Sequence, residues 1–202
     1  MKWNEENLKY RGRYLRTQPG KLLFGPAGER LAADYLEKQP GFVGRFDFIH
    51  KCNLPELFRV TIDCPMDFRK ATADWYPSYL HMECEDRQIV FREDKWITRD
   101  DVAVSRQTWF NQSGEARVLR LLPGADICRS FGRMPHGYRV HEAVFSHSFD
   151  AGGSCLLPSG AAVTVTVCAG VGNQEQESRE QLRERAVKAE ALACQDTALA
   201  GH

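Results

Sequence analysis

Alternation of apolar and polar residues is the dominant pattern along this chain, and a period of two predicts β-strands. The clearest alternating run spans residues 102–110 and is followed by a polar segment, 111–114, and a second alternating run, 115–122. One side of the first run carries Val102, Val104, Arg106, Thr108 and Phe110. Because β-branched and aromatic residues flank a glycine-bearing polar turn, we predict that the two runs pair as a hairpin.

Other segments show the same period. Strands are predicted at residues 42–51, 57–64, 138–149 and 161–170. Two short apolar pieces, 88–91 and 95–98, stand on either side of the charged residues 92–94, and we predict another hairpin there. Residues 65–81 are irregular, and a proline within them argues against a central strand.

Two segments have helical spacing. A short helix is predicted at residues 28–38, where apolar side chains recur at Leu31, Ala32, Tyr35 and Leu36. Residues 173–194 contain no proline or aromatic residue and are rich in Glu, Gln, Arg and Ala, which predicts a longer helix. Its thin apolar stripe consists of Leu182, Ala186, Ala189 and Ala193. Such a helix is either solvated or packed on a partner. If it docks instead on the strands of this chain, the domain is self-contained.

This order of elements predicts a mainly β fold, an antiparallel β-sandwich with a short N-terminal helix and a C-terminal linker-like helix. We divide the chain into an N-terminal arm with the short helix (1–41), the sandwich (42–172) and the linker-like helix with its tail (173–202). Arginines and tyrosines interleave within residues 1–26. This stretch is interpreted as an arm lying on the domain, and a patch for a polyanion is the alternative.

Composition and charge argue against several classes of function. The 202 residues include 27 basic and 27 acidic side chains, so there is no basic field to favour nucleic acid. No apolar run approaches the about 18 residues of a membrane span, and the polar N-terminus lacks the apolar segment of a signal peptide. We therefore expect a cytoplasmic protein without membrane contact. The seven cysteines are widely spaced with no Cys-x-x-Cys pair, and they are interpreted as buried reduced thiols.

Candidate catalytic and metal-binding side chains do not converge in the sequence. The adjacent acids Asp100 and Asp101 would point to opposite faces of a strand. His141 and His147 share a face of a predicted strand, but the rise per residue separates them by about 20 Å, too far for one metal ion. We therefore predict no catalytic residue, no metal site and no cofactor.

A cluster of aromatic residues offers a candidate binding surface. Trp75, Tyr76 and Tyr79 lie around a proline and follow Asp74. A sugar ring stacks its apolar face on an aromatic side chain while its hydroxyls need polar neighbours, so these four residues are predicted to contact carbohydrate. Contact with a partner domain and plain packing are the alternatives.

A family resemblance rests on three segments and on their order along the chain. Residues 102–121 read Val-Ala-Val-Ser-Arg-Gln-Thr-Trp-Phe-Asn-Gln-Ser-Gly-Glu-Ala-Arg-Val-Leu-Arg-Leu, and later come a valine-rich strand ending in Cys168-Ala-Gly-Val-Gly-Asn and the Glu/Arg/Ala helix. This order resembles the N-terminal β-sandwich of glycoside hydrolases with an (α/α) six-hairpin barrel, the glycogen-debranching-like and glucosidase-like enzymes. The resemblance covers residues 42–195. It implies that the catalytic carboxylates belong to a barrel, so no catalytic residue is carried over.

The sequence supports two hypotheses of function. The first is a non-catalytic sandwich module of a carbohydrate-active enzyme, which supports or contacts a catalytic barrel domain or partner chain and binds an oligosaccharide. It implies that these residues alone do not hydrolyse glycosides, since that reaction needs two converging carboxylates. The alternative is a stand-alone sandwich-fold binding protein or enzyme with a site that the sequence does not reveal.

Overall fold

The computed structural model describes residues 10–11, 26–48, 52–76, 79–124, 143–172 and 176–199. In chain order the strands are β1 (Tyr10–Arg11), β2 (Leu31–Leu36), β3 (Gly41–Phe48), β4 (Cys52–Ile62), β5 (Thr72–Trp75), β6 (Tyr79–Asp86), β7 (Ile89–Ile97), β8 (Val102–Asn111), β9 (Arg117–Pro123), β10 (Val144–His147), β11 (Ser154–Leu157) and β12 (Ala162–Gly170). A short 3-10 turn, Phe68–Lys70, precedes β5, and the helix α1 spans Arg179–Leu199.

The strands form two sheets that pack face to face. The first sheet has the order β1-β5-β6-β7-β8-β12-β10, and the second has the order β11-β9-β4-β3-β2. The pairings between these strands are antiparallel. Side chains from both sheets belong to one hydrophobic cluster. The predicted class, a mainly β antiparallel sandwich with a C-terminal helix, is confirmed.

The hairpin predicted from residues 102–122 is wrong. β8 pairs with β7 and β12 in the first sheet, whereas β9 pairs with β4 and β11 in the second. The chain therefore crosses between sheets at this turn. Asn111 stabilises this buried turn. Its side-chain amide donates to the carbonyls of Glu115 (2.8 Å) and Leu157 (3.2 Å), and its side-chain oxygen accepts from Ser113. These bonds satisfy the polar groups that the crossing buries.

The helix predicted at residues 28–38 is also wrong, because this segment contains strand β2. β2 pairs with β3 in the second sheet, so the sandwich includes residues before 42. Its register shifts between Ala33 and Tyr35, as in a β-bulge. A bulge inserts one residue and interrupts the period of two. The buried positions Leu31, Ala33 and Leu36 consequently lose strict alternation, which explains the mistaken helical spacing.

β7 runs continuously from Ile89 to Ile97, so the hairpin predicted around residues 92–94 is wrong as well. Glu93 and Lys95 are only 1% and 0% exposed and occupy inward positions of the strand, between the buried Phe91 and Ile97. The alternation is therefore intact, with charged side chains at two interior positions. Part of the segment interpreted as irregular forms β5 and the start of β6.

The remaining strand predictions agree with the structure where it describes them. Residues 42–51, 57–64 and 161–170 overlap β3, β4 and β12. Of the predicted strand 138–149, residues 144–147 form β10, and residues 138–142, with His141, lie outside the described part. The arm of residues 1–26 also lies almost wholly outside it.

Aromatic side chains fill the centre of the sandwich. Trp109 is fully buried, and its ring lies 4.4 Å from that of Phe91 and 6.3 Å from that of Phe68. Phe42 and Phe58 contact each other from the second sheet, with ring centres 5.7 Å apart. Burial of each such side chain stabilises the fold by about 1.5–3 kcal/mol.

Helix α1 docks on the outer surface of the first sheet. Its N-terminus is a capping box, in which Ser178 Oγ accepts from the Gln181 amide and Gln181 Oε1 accepts from the Ser178 amide. The alanines of its thin stripe are buried against Val102, Val104 and Cys168. The stripe is thus covered by this chain's own sheet. Among the described residues, no helix is long and apolar enough to cross a membrane.

Candidate functional site

The outer surface of β5, β6 and β7 carries aromatic and charged side chains that remain partly exposed. Helix α1 contacts the neighbouring strands β8, β10 and β12 of the same sheet. We call this surface the open face. It consists of Asp74, Tyr76, Tyr79, His81, Glu83, Arg92, Asp94 and Trp96.

An aromatic row crosses the open face. Tyr79 of β6 lies directly opposite Trp96 of β7, and opposite residues of an antiparallel pair share a face. Tyr76 follows β5, and its ring stacks on that of Tyr79 with 4.3 Å between centres and 7° between planes. A hydrogen bond from the Tyr76 amide to the Tyr79 carbonyl (2.9 Å) closes the turn between them. Both tyrosines are half-buried.

A polar row lies beside the aromatic row. His81 of β6 is opposite Asp74 of β5 on one side and Asp94 of β7 on the other. His81 Nδ1 is 2.7 Å from Asp94 Oδ1. This hydrogen bond is the main cause that raises the pKa of His81 above its ordinary 6.5, while partial burial of the ring works against it.

An ion pair forms the third row. Arg92 Nε lies 3.0 Å from Glu83 Oε1, and His81 Nε2 is 3.4 Å from the same oxygen. Glu83 is 49% exposed and Arg92 is 64% exposed, so both reach into solvent. The carboxylate of Glu83 is thereby shared between a permanent cation and a titratable one.

The spacing of the rows suits a polyhydroxylated ligand. Successive rows are two residues apart along the strands, which corresponds to about 7 Å at the usual strand rise. A ring that stacks on the aromatic row therefore places its edge near the carboxylates and imidazole of the polar row. These side chains both donate and accept hydrogen bonds, as sugar hydroxyls require.

The structure brings together three of the four predicted carbohydrate-contacting residues. Asp74, Tyr76 and Tyr79 all belong to the open face. Trp75 is opposite Leu80 in the strand register, and its side chain is outside the described part of the structure.

His81 and Asp94 were not among the residues predicted to contact carbohydrate, although a signal for them was present. In residues 79–86, Leu80, Met82 and Cys84 are buried and alternate with polar or aromatic side chains that are more exposed. This alternation predicts β6 and would have placed His81 on the same face as Tyr79. Asp94 was missed because Glu93 and Lys95, on either side of it, are charged although they are buried. The run of charged residues was therefore interpreted as a turn and not as part of β7.

Other polar groups are buried and therefore unavailable to a ligand. Glu93 Oε1 accepts from Ser105 Oγ (2.6 Å), Gln107 Nε2 (3.2 Å) and the Gly41 amide (2.8 Å). Lys95 Nζ lies 3.1 Å from Glu93 Oε2 and donates to the Gly41 carbonyl (2.6 Å). Desolvation lowers the pKa of Lys95 below 10.5. This network ties β7 and β8 to the start of β3 in the opposite sheet.

A groove lies at the edge of helix α1, apart from the open face. It has a volume of about 400 Å³, and its lining includes Thr98 and Arg99 from the β7–β8 turn and Lys188 and Leu192 from the helix.

Among the described residues, no group of three or more His, Cys, Asp or Glu side chains is placed to hold a metal ion.

No protein-family model matches the chain, and no curated protein matches its sequence.

Proposed function

We propose that this chain is a non-catalytic carbohydrate-binding β-sandwich module that binds an oligosaccharide on the open face of its first sheet. One observation supports the proposal above all: the register of β5, β6 and β7 aligns the Tyr79–Trp96 row beside the Asp74–His81–Asp94 row. The faces of the aromatic rings can then contact the apolar face of a sugar ring, and the polar side chains beside them can bind its hydroxyl groups.

The resemblance to the N-terminal sandwich of (α/α)-barrel glycoside hydrolases agrees with this proposal. In that setting the module would sit beside a catalytic barrel and contact its substrate. The docked helix α1 also agrees with a stand-alone binding protein, since its apolar stripe is already covered. Both settings use the same open face, so the sugar-binding test applies to either.

Affinity electrophoresis through gels that contain soluble α-glucans or β-glucans tests the proposal. Retardation of the wild-type chain by one polysaccharide is expected, together with its loss in Tyr79→Ala. Leu156→Ala is the matched control, because Leu156 is 60% exposed and lies in the other sheet. Absence of retardation by every polysaccharide, or equal loss in both variants, would contradict the proposal.

A second candidate function is contact with a catalytic barrel domain or partner chain through helix α1. Val187 and Leu192 are 50% and 55% exposed on this helix, and Leu192 also lines the groove beside it. Sedimentation of the chain with a purified (α/α)-barrel catalytic domain tests this contact. Complex formation that Leu192→Glu abolishes supports it, and independent sedimentation of the two proteins opposes it.

We also propose that the chain works in the cytoplasm. Five described cysteines are free thiols: Cys64, Cys84, Cys155, Cys168 and Cys194. Free thiols in this number are typical of a reducing compartment. Fractionation of cells that express the tagged chain tests this location, and recovery outside the cytoplasmic fraction would contradict it.

A further inference from the structure

His81 is placed to control the open face because it contacts carboxylates through both of its ring nitrogens. Nδ1 faces Asp94 Oδ1 at 2.7 Å, and Nε2 faces Glu83 Oε1 at 3.4 Å. The side chain is 31% exposed, so it exchanges protons with solvent. One titratable ring therefore links the polar row to the ion pair beyond it.

Charged groups face His81 from each neighbouring strand. Asp74 of β5 is opposite it, Asp94 of β7 is opposite it on the other side, and Glu83 is two positions further along its own strand. Arg92 shares Glu83 with His81, and Arg106 of β8 is opposite Asp94. Beyond Asp74, the register places Arg11 of β1. Carboxylates are thus the immediate neighbours of His81, and Arg92 and Arg106 are one position further away.

The two protonation states offer different groups to a ligand. A protonated ring donates at both nitrogens and occupies one oxygen of Asp94 and one of Glu83. After loss of one proton, the remaining proton is held at Nδ1 by Asp94, and Nε2 becomes an acceptor. Nε2 and Glu83 Oε1 are then two acceptors 3.4 Å apart with no proton between them, although Arg92 Nε still contacts Glu83 Oε1 from its own side at 3.0 Å. Hydroxyl groups of a sugar supply that missing donor.

We propose that His81 makes sugar binding on the open face dependent on pH, with tight binding when the ring is neutral and weak binding when it is protonated. The inference rests on the proposed carbohydrate-binding function. Its ligand class is a neutral oligosaccharide, which provides hydroxyl donors but carries no charge of its own. Because the hydrogen bond with Asp94 raises the pKa of His81 in the free protein above 6.5, the affinity keeps rising with pH until the pH passes that raised pKa.

Calorimetric titration with an oligosaccharide of the polysaccharide that retards the chain tests this inference between pH 5.5 and 9. The wild-type affinity is expected to rise roughly tenfold across this range, the change that a one-unit difference in pKa between free and bound protein produces. His81→Gln is expected to bind with little dependence on pH. Asp94→Asn is expected to move the midpoint to lower pH, because the main cause of the raised pKa is removed.

Each result has a defined consequence. Sugar binding that is independent of pH in the wild type, or a pH dependence that His81→Gln retains, overturns the role of His81 and leaves the proposed function intact. Absence of binding at every pH, in the wild type and in His81→Gln, overturns both. A nuclear magnetic resonance titration of the His81 ring gives a readout without ligand: its midpoint should lie above 6.5 and fall in Asp94→Asn.

Discussion

Arg30 and Asp101, 71 positions apart in the chain, are joined by both backbone and side-chain hydrogen bonds. Asp101 Oδ1 accepts from the Arg30 amide at 2.7 Å, and Oδ2 accepts from Arg30 Nε at 2.7 Å. Arg30 continues to Glu177 at 2.8 Å, just before helix α1. The pair therefore connects the start of β2, the β7–β8 turn and the approach to the helix.

Loss of the Asp101 carboxylate should destabilise the whole sandwich. Asp101 is 1% exposed, and its Oδ1 accepts from the backbone amides of both Arg30 and Leu31. Asp101→Ala leaves these two amides without their acceptor and removes one of the two carboxylate partners of Arg30, while Glu177 remains. We expect a loss of about 3 kcal/mol, because each amide that loses its acceptor costs about 1–3 kcal/mol. Urea unfolding measures it. Asp100→Ala is the control, since Asp100 is exposed, and equal midpoints for the two variants would contradict this role.

The buried pair Glu93–Lys95 should behave as a unit. Lys95→Met leaves the Glu93 charge buried, so a loss of about 3–5 kcal/mol is expected. The double variant Glu93→Gln/Lys95→Met removes both charges and should recover much of that loss. A double-mutant cycle on unfolding free energies provides the measurement. Additive effects of the two changes would show that the pair is not coupled.

The alanine positions on the buried side of helix α1 should not tolerate larger side chains. Ala186 is fully buried against the sheet, and Ala186→Leu adds volume where there is no room. We expect destabilisation by about 1–3 kcal/mol from overpacking. Ala191→Leu is the matched control on the exposed side of the same helix. Thermal unfolding of both variants distinguishes them, and unchanged stability of Ala186→Leu would argue against close helix–sheet packing.

Two cysteines near this helix should differ sharply in reactivity. Burial raises the pKa of Cys168, whereas Cys194 is exposed on the helix. Because the thiolate is the reactive form, native iodoacetamide labelling should modify Cys194 and spare Cys168. Peptide mass spectrometry assigns the labelled sites. Unfolding in urea should make both react, and early labelling of Cys168 in the native protein would indicate that the helix opens.

The ion pair of His81 and Asp94 should contribute stability only in the lower part of the pH range. The folded-state pKa of His81 is raised above 6.5, so the folded form binds the proton more tightly than the unfolded chain. The contribution is therefore complete below pH 6.5 and is lost as the pH rises through the folded-state pKa. Melting temperatures of wild type and His81→Gln should differ most at pH 6 and converge at pH 9. A constant difference across this range would exclude the linkage.

The sandwich class could be predicted because most strands alternate strictly, as in β8, where Val102 and Val104 face the helix and Trp109 faces the core. Pairing could not be predicted at the turn after Asn111. A polar turn with a glycine is compatible with both a hairpin and a crossing between sheets. The two differ in the partners of the Asn111 side-chain amide, which donates to the carbonyls of Glu115 and Leu157.

The candidate site was predicted only in part for a similar reason. The aromatic residues and Asp74 stand out because they are close in sequence. His81 and Asp94 join them only through the strand register, which depends on pairing between β6 and β7. The interior charges of Glu93 and Lys95 hid that pairing, since a lysine and a glutamate inside a sandwich are rare without a partner.

Helix α1 contacts its sheet through small side chains, the alanines of its buried stripe. The helix covers the outer surface of β8, β10 and β12, and the half-buried Trp96 of β7 packs against this contact. An oligomer spreading across the strands from Tyr76 would be halted there. Along the strand direction, towards Thr72, no such barrier is provided by the helix. An oligosaccharide bound as we propose would therefore align with the strands rather than across them.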